Sequence, residues 1–323
     1  MRLPFSTSLS TAALAIAAAS PVALQAQDSS ETVSIRTAEP EIEVTAERPL
    51  REDEVRQGVK DIAHSRRPKE AIPRFIDPLC LTVVGLGAEL SERVAQRVRT
   101  NAQDAGLELG EPDCTANAVI MVVDRPGVLV DRLRRERPQI FNAAAVRDIR
   151  TEINRGLPFV AWNIEGVQSR LARSANEQNS GAIAGSGFLF DDAGANVAQE
   201  REYGASRFRA SLPRTRSSSF IVFDVRQLEN VHLNQLADFA TLQLLGSPRR
   251  NYDANNLAAA SILTLFDGDV LTGPQSLTQL DKAYLRGLYT MPPGTWGSRL
   301  ETYSKRAYEE IAGAEAAREQ AAP

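Results

Sequence analysis

The chain has two histidines and two cysteines among 323 residues, and each scarcity removes a class of chemistry. His64 lies in a polar stretch near the N-terminus, and His232 lies just ahead of a helical segment. A Ser-His-Asp triad needs a histidine fixed beside its nucleophile. Only His232 is placed to serve, and no Gly-x-Ser-x-Gly elbow occurs. Two cysteines with no histidine close by in sequence make a poor zinc site. Beyond the first 26 residues no apolar run approaches the roughly 20 residues that a membrane span needs. The net charge of −4 gives no general attraction to nucleic acid. The one basic run, Arg132-Leu133-Arg134-Arg135-Glu136-Arg137, has no interleaved aromatic residues on which bases could stack, so it reads as a solvated helix face. Gly181, Gly185 and Gly187 lack the strand-turn-helix context of a phosphate loop. No cofactor and no metal is expected.

What the N-terminus does carry is an export signal. Arg2 precedes the apolar stretch Thr11–Ala19, and Ala23-Leu24-Gln25-Ala26 offers a small residue for cleavage. The reading is a signal peptide over 1–26, cleaved near Ala26, with a soluble protein delivered to the periplasm. No lipobox cysteine follows. Cys80 and Cys114 agree with export: an even count reads first as one disulfide, against two separate buried thiols. Residues 27–71 are polar and charged and predict a flexible arm. Within it, Glu41-Ile42-Glu43-Val44-Thr45-Ala46-Glu47-Arg48 resembles the short extended segment near the mature N-terminus of many TonB-dependent outer-membrane receptors. Such a segment is either a plain linker or a docking strand for a partner's sheet edge.

The pattern beyond the arm predicts one α+β domain over 72–312, then a disordered tail over 313–323. Leu79–Leu86 and Ala118–Val123 are apolar, β-branched runs. Leu90, Val94, Val98 and Ala102 recur every four residues between them, with Gly106 past the end of that helix. A β-α-β order predicts parallel neighbours, which places Cys80 and Cys114 at the same ends of two strands. Phe159–Ile164 and Ser219–Asp224 are further strand candidates, and 174–200 reads as a loop or hairpin insertion. From Leu233 onward the chain turns helical, with a capping-box start at Thr278-Gln279-Leu280-Asp281. The expectation is a mixed sheet of about four strands with helices packed on it and a helical C-terminal half.

The helix after the fourth strand is the most informative. A zinc protease of the His-Glu-x-x-His type sets two histidines at i and i+4, with a glutamate to polarise the water. This chain reads Phe239-Ala240-Thr241-Leu242-Gln243, with Gly246 three residues on. Phenylalanine has no lone pair to donate, glutamine is a weak neutral ligand, and alanine accepts no proton. Asp238 is expected to point about 100° away from Phe239, as a surface or second-layer residue. His232 and Asp281 are the other second-layer candidates, Asp281 chiefly as the carboxylate that closes a helix start.

Ser261-Ile262-Leu263-Thr264-Leu265-Phe266-Asp267 and Leu277-Thr278-Gln279-Leu280-Asp281-Lys282-Ala283-Tyr284-Leu285-Arg286-Gly287-Leu288-Tyr289 resemble a proteobacterial family of exported proteins of unknown function. Its members carry S-I-F-N-D followed by L-T-x-x-D-x-x-L-L-R-x-L-Y. Gln243–Pro248 is similar to its Q-A-L-G-L-P, and Ala116–Val123 to its A-N-I-x-V-x-F-V strand. The resemblance implies a zincin-like fold with a degraded metal motif. Family members often carry acidic residues where this chain has Phe239 and Ala240, so an activity resting on those carboxylates is not expected here. The reading is a non-catalytic domain binding a protein, peptide or envelope component in a cleft beside the 236–246 helix that Phe239 and Gln243 line, or elsewhere if they fill it. The alternatives are a non-zinc hydrolase of the cell envelope using His232, or an accessory to TonB-dependent uptake through 41–48.

Overall fold

In the computed structural model, which describes residues 48–63, 70–167, 214–246, 248–250 and 256–321, the first element is a helix where none is expected. α1 (Glu52–Ile62) opens with the Glu54 carboxylate accepting from the Arg51 backbone N–H at 2.8 Å and buries Val55, Val59 and Ile62. These apolar residues recur at i, i+4 and i+7, a stripe too short to stand out among charged neighbours. The flexible arm expected over 27–71 is thus corrected for 52–62, and the folded domain begins before residue 72. The expected signal peptide, the 41–48 segment except Arg48, and the 174–200 insertion lie outside the described residues.

β1 (Leu81–Val84), α2 (Ala88–Ala105) and β2 (Ala118–Val123) form the expected β-α-β unit, with β1 and β2 parallel. α2 stops where Gly106 takes φ +90°, a left-handed conformation that costs glycine no Cβ clash. α3 (Pro126–Glu136), α4 (Ala143–Asn154), β3 (Phe159–Val167) and β4 (Arg214–Asp224) follow. The sheet order is β1-β2-β4-β3; β2 runs parallel to β4, and β3 is the antiparallel edge. The helical half then comprises α5 (Leu233–Leu245), a 3₁₀ turn at Ile262–Phe266, α6 (Gln279–Thr290) and α7 (Leu300–Ala321). The tail expected to be disordered from 313 is helical as far as Ala321. The architecture is α+β, a mixed four-stranded sheet with a helical C-terminal half.

Strand alternation divides the core in two. Ala118, Ile120, Val122, Ile221 and Phe223 join Val94, Val98, Leu236 and Phe239 on the α2/α5 side. Val119, Met121, Val160, Trp162, Phe220 and Val222 face Val130, Leu133 and Ile149 of α3 and α4. Trp162 is stacked between Phe141 and Phe220 at 5.1 and 4.9 Å, and its ring N–H donates to the Ile140 carbonyl. Among the described residues no helix is long and apolar enough to cross a membrane.

Cys80, just before β1, is bonded to Cys114, with Cα atoms 5.9 Å apart and a separation of 34 in sequence. Gly110 lies against the bridge, where a Cβ would meet both sulfurs. Closing a loop of this length contributes about 4 kcal/mol through the unfolded chain's lost entropy. Replacing both cysteines by serine is therefore expected to lower the unfolding free energy by about 3–4 kcal/mol in denaturant titrations. A loss under about 1 kcal/mol would show that the bridge does not constrain the unfolded chain.

Candidate functional site

α5 is the helix singled out by its residue pattern, and it is tied down on every side. Its N-terminal turn is set by Gln235, whose Oε1 accepts from the His232 backbone N–H at 2.9 Å. The Gln235 amide also donates to the Val270 and Pro274 carbonyls at 3.0 and 3.1 Å. His232 is buried at this helix start. At the far end the Leu244 carbonyl accepts from Ser219 Oγ at 3.0 Å and from Arg216, the Leu245 carbonyl from Tyr289 Oη at 2.9 Å, and the Gly246 carbonyl from Arg216 at 3.1 Å. The carbonyls that a helix leaves open at its C-terminus are thus satisfied by side chains. Arg216 places a buried positive charge at the negative end of the helix dipole, and burial pushes its pKa down. Arg74 does the same for α6, donating to the Leu288 and Met291 carbonyls.

Phe239 and Ala240 are both 0% exposed. The Phe239 ring meets Phe159 and Phe266 edge-on, with centroids 4.8 and 4.9 Å away, and Phe223 at 6.2 Å. Gln243, one turn on, is half-buried. Of the two arrangements expected beside this helix, a lined or a filled cleft, Phe239 takes the filled one: it is aromatic core. Among the described residues no three of His, Cys, Asp and Glu converge as a metal-binding group.

A polar stripe on the same helix escaped the sequence reading. Gln235, Asp238 and Thr241 recur every three residues and are all fully buried. Asp238 is not at the surface. Its carboxylate accepts a two-pronged ion pair from Arg97 of α2, both contacts at 2.8 Å, the Asn101 amide at 2.7 Å, and the Leu277 backbone N–H at 2.9 Å. Four donors on one carboxylate join α2, α5 and the segment leading into α6. Arg97 and Asn101 are four residues apart on α2, so one helical turn presents both to Asp238. That spacing was the only available signal, and nothing local links it to residue 238.

Asp281 serves a separate network. It is the third residue of α6 and fully buried. It accepts from the Thr278 N–H at 3.0 Å, the Ile262 N–H at 2.8 Å and Ser261 Oγ at 2.6 Å. Burial pushes its carboxyl up to about 6, with the hydrogen bonds from Ile262, Ser261 and Thr278 pulling the other way. A carboxyl pKa raised on folding favours the fold below the unfolded value of 3.8, and that advantage disappears as pH rises through about 6. Asparagine can keep the accepted N–H bonds through Oδ1 and donate to Ser261 through Nδ2. The wild type is therefore expected to lose about 2 kcal/mol relative to Asp281→Asn between pH 4 and pH 7. Parallel stability curves over that range would refute this.

The middle of the sheet's β3 edge is covered from within. The Ala161 N–H donates to Glu152 of α4 at 3.0 Å, and its carbonyl accepts from Arg250 at 2.6 Å. Glu152 and Arg250 are themselves paired, and burial raises the Glu152 pKa. An incoming strand would have to displace both side chains. A depression with about 260 Å³ of empty space lies elsewhere, lined by Arg48, Leu50, Ala259, Thr278 and Tyr308. No family model matches this chain, and no curated protein or solved structure does either.

Proposed function

We propose that this chain is an exported, periplasmic, non-catalytic domain that retains the helix of a zincin-like fold and uses its former ligand face as core. Its task on this reading is to bind a protein, peptide or cell-envelope component at its surface rather than in a cleft beside α5. The observation that carries the reading is the burial of Phe239 among the rings of Phe159, Phe223 and Phe266, with Ala240 next to it also fully buried. Those residue types supply neither ligand nor base, and their packing leaves no room for a substrate over that turn. The helix follows β4 and ends at Gly246, as the degraded-protease reading requires.

Elemental analysis of the purified chain, together with a peptide and peptidoglycan hydrolysis panel, tests this reading. The expected result is no stoichiometric zinc and no turnover. Bound zinc that is lost in His232→Ala, or hydrolysis abolished by that substitution, would overturn it. Export is tested separately by the N-terminal sequence of the periplasmic fraction, expected to begin at Gln27. Protein retained in the cytoplasm with Met1 intact would contradict it.

A further inference from the structure

The layer formed by α3 and α4 differs in charge from the rest of the chain. Residues 124–156 hold eight arginines against five carboxylates, a net of +3 in a chain whose total is −4. The other described residues hold 19 Lys and Arg against 24 Asp and Glu, a net of −5, so among the described residues the charge is polarised toward this layer. Arg125, Arg132, Arg134, Arg135, Arg147, Arg150 and Arg155 are exposed on it. Of the five carboxylates, Glu152 is buried against Arg250.

Exposed apolar side chains occur on the same layer. The large hydrophobic residues exposed among the described residues are Val128, Ile153, Leu271 and Trp296, at 58, 41, 46 and 44%. Two of these four belong to α3 and α4, which approach each other there: a Cβ on Gly127, the residue before Val128, would lie 3.8 Å from Ile153 Cδ1. Along α3, Val128, Arg132 and Arg135 recur at i, i+4 and i+7, so one outward stripe carries all three. On α4, Arg150 lies three residues before Ile153, on the same side. Arg135 and Arg150 have no ion pair among the described residues, while Arg132 holds only an exposed contact with Glu136.

We infer that the outer face of α3 and α4 is a docking surface for an anionic lipid bilayer. Val128 and Ile153 enter the interface, while Arg132, Arg135 and Arg150 meet the lipid phosphates. Aliphatic side chains flanked by guanidinium groups match the layering of a bilayer surface, which is apolar below and anionic above. A nucleic acid fits less well, because no aromatic side chain is exposed on this layer for bases to stack on. The attachment is peripheral and independent of whether the chain has any catalytic activity.

Co-sedimentation of the full chain with phosphatidylcholine vesicles, with and without phosphatidylglycerol, tests the inference. Binding is expected only with the anionic lipid, and it should weaken as salt is raised. Combining Arg132→Glu, Arg135→Glu and Arg150→Glu is expected to cut affinity by at least about tenfold. Val128→Ser with Ile153→Ser should weaken binding several-fold while leaving its salt dependence in place. All five positions are exposed, so the unfolding midpoints of these variants should stay close to wild type. No binding to anionic vesicles at low salt would overturn the inference. So would unchanged binding by the charge-reversed variant, or binding to a DNA duplex in preference to the vesicles.

Discussion

Asp238→Ala is expected to lower the unfolding free energy by about 2–4 kcal/mol, because it removes the buried end of an ion pair whose Arg97 end is partly exposed and leaves buried donors without their acceptor. The magnitude follows from what is left behind. Arg97 loses both of its carboxylate contacts, Asn101 loses its shortest hydrogen bond, and the Leu277 N–H is stranded in a buried position. Arg97→Ala leaves the Asp238 charge buried with only the neutral donors, so a comparable loss is expected. The double variant should cost less than the two single losses added together, because each removes the same contact. Asp238→Asn keeps one acceptor but sets an NH₂ group against a guanidinium and an amide donor, so it should also destabilise. Urea titration of the four proteins measures all of this, and a loss under about 1 kcal/mol for Asp238→Ala would contradict the structure.

Phe239→Ala is expected to cost about 3–5 kcal/mol, as for other fully buried aromatic residues cut back to alanine. Three rings close around this side chain, from β3, β4 and the 3₁₀ turn at Ile262–Phe266. These come from separate parts of the fold and cannot all collapse into the space left behind. Gln243→Ala is the internal control. It is one turn away on the same helix but half-buried, and its loss should fall below about 1 kcal/mol. If both positions lined an open cleft, the two substitutions would have similarly small effects. Equal losses at 239 and 243 in guanidinium unfolding would therefore count against a filled site.

The elements that could be read from sequence are those whose signal is local. The apolar runs of β1 and β2 with a four-residue repeat between them predict a parallel pair, and that pairing in turn brings Cys80 near Cys114. Gly106 and the Thr278–Asp281 box mark helix ends because capping is a matter of a few adjacent residues. α1 was missed because its stability depends on packing of Val55, Val59 and Ile62 against the rest of the core. β4 reaches back to Arg214, earlier than its apolar stretch suggests, since this polar end pairs with Ile164–Val167 of β3 and Arg216 reaches the end of α5. For Asp238, of the surface and second-layer alternatives, full burial removes the first. Helical geometry gives direction, whereas burial there depends on α2 and on Leu277, which are distant in sequence.

The claim most exposed to test is that Phe239 and Ala240 on α5 are packed core. Combining Phe239→His, Ala240→Glu and Gln243→His writes the protease motif back onto α5. Zinc titration of that variant, followed by metal analysis and circular dichroism, measures directly whether the turn faces a metal-sized space. The structure predicts that an imidazole forced among Phe159, Phe223 and Phe266 at position 239, with a carboxylate in the buried place of Ala240, will abolish cooperative folding and hold no stoichiometric zinc. A folded variant that binds one zinc ion per chain would contradict it.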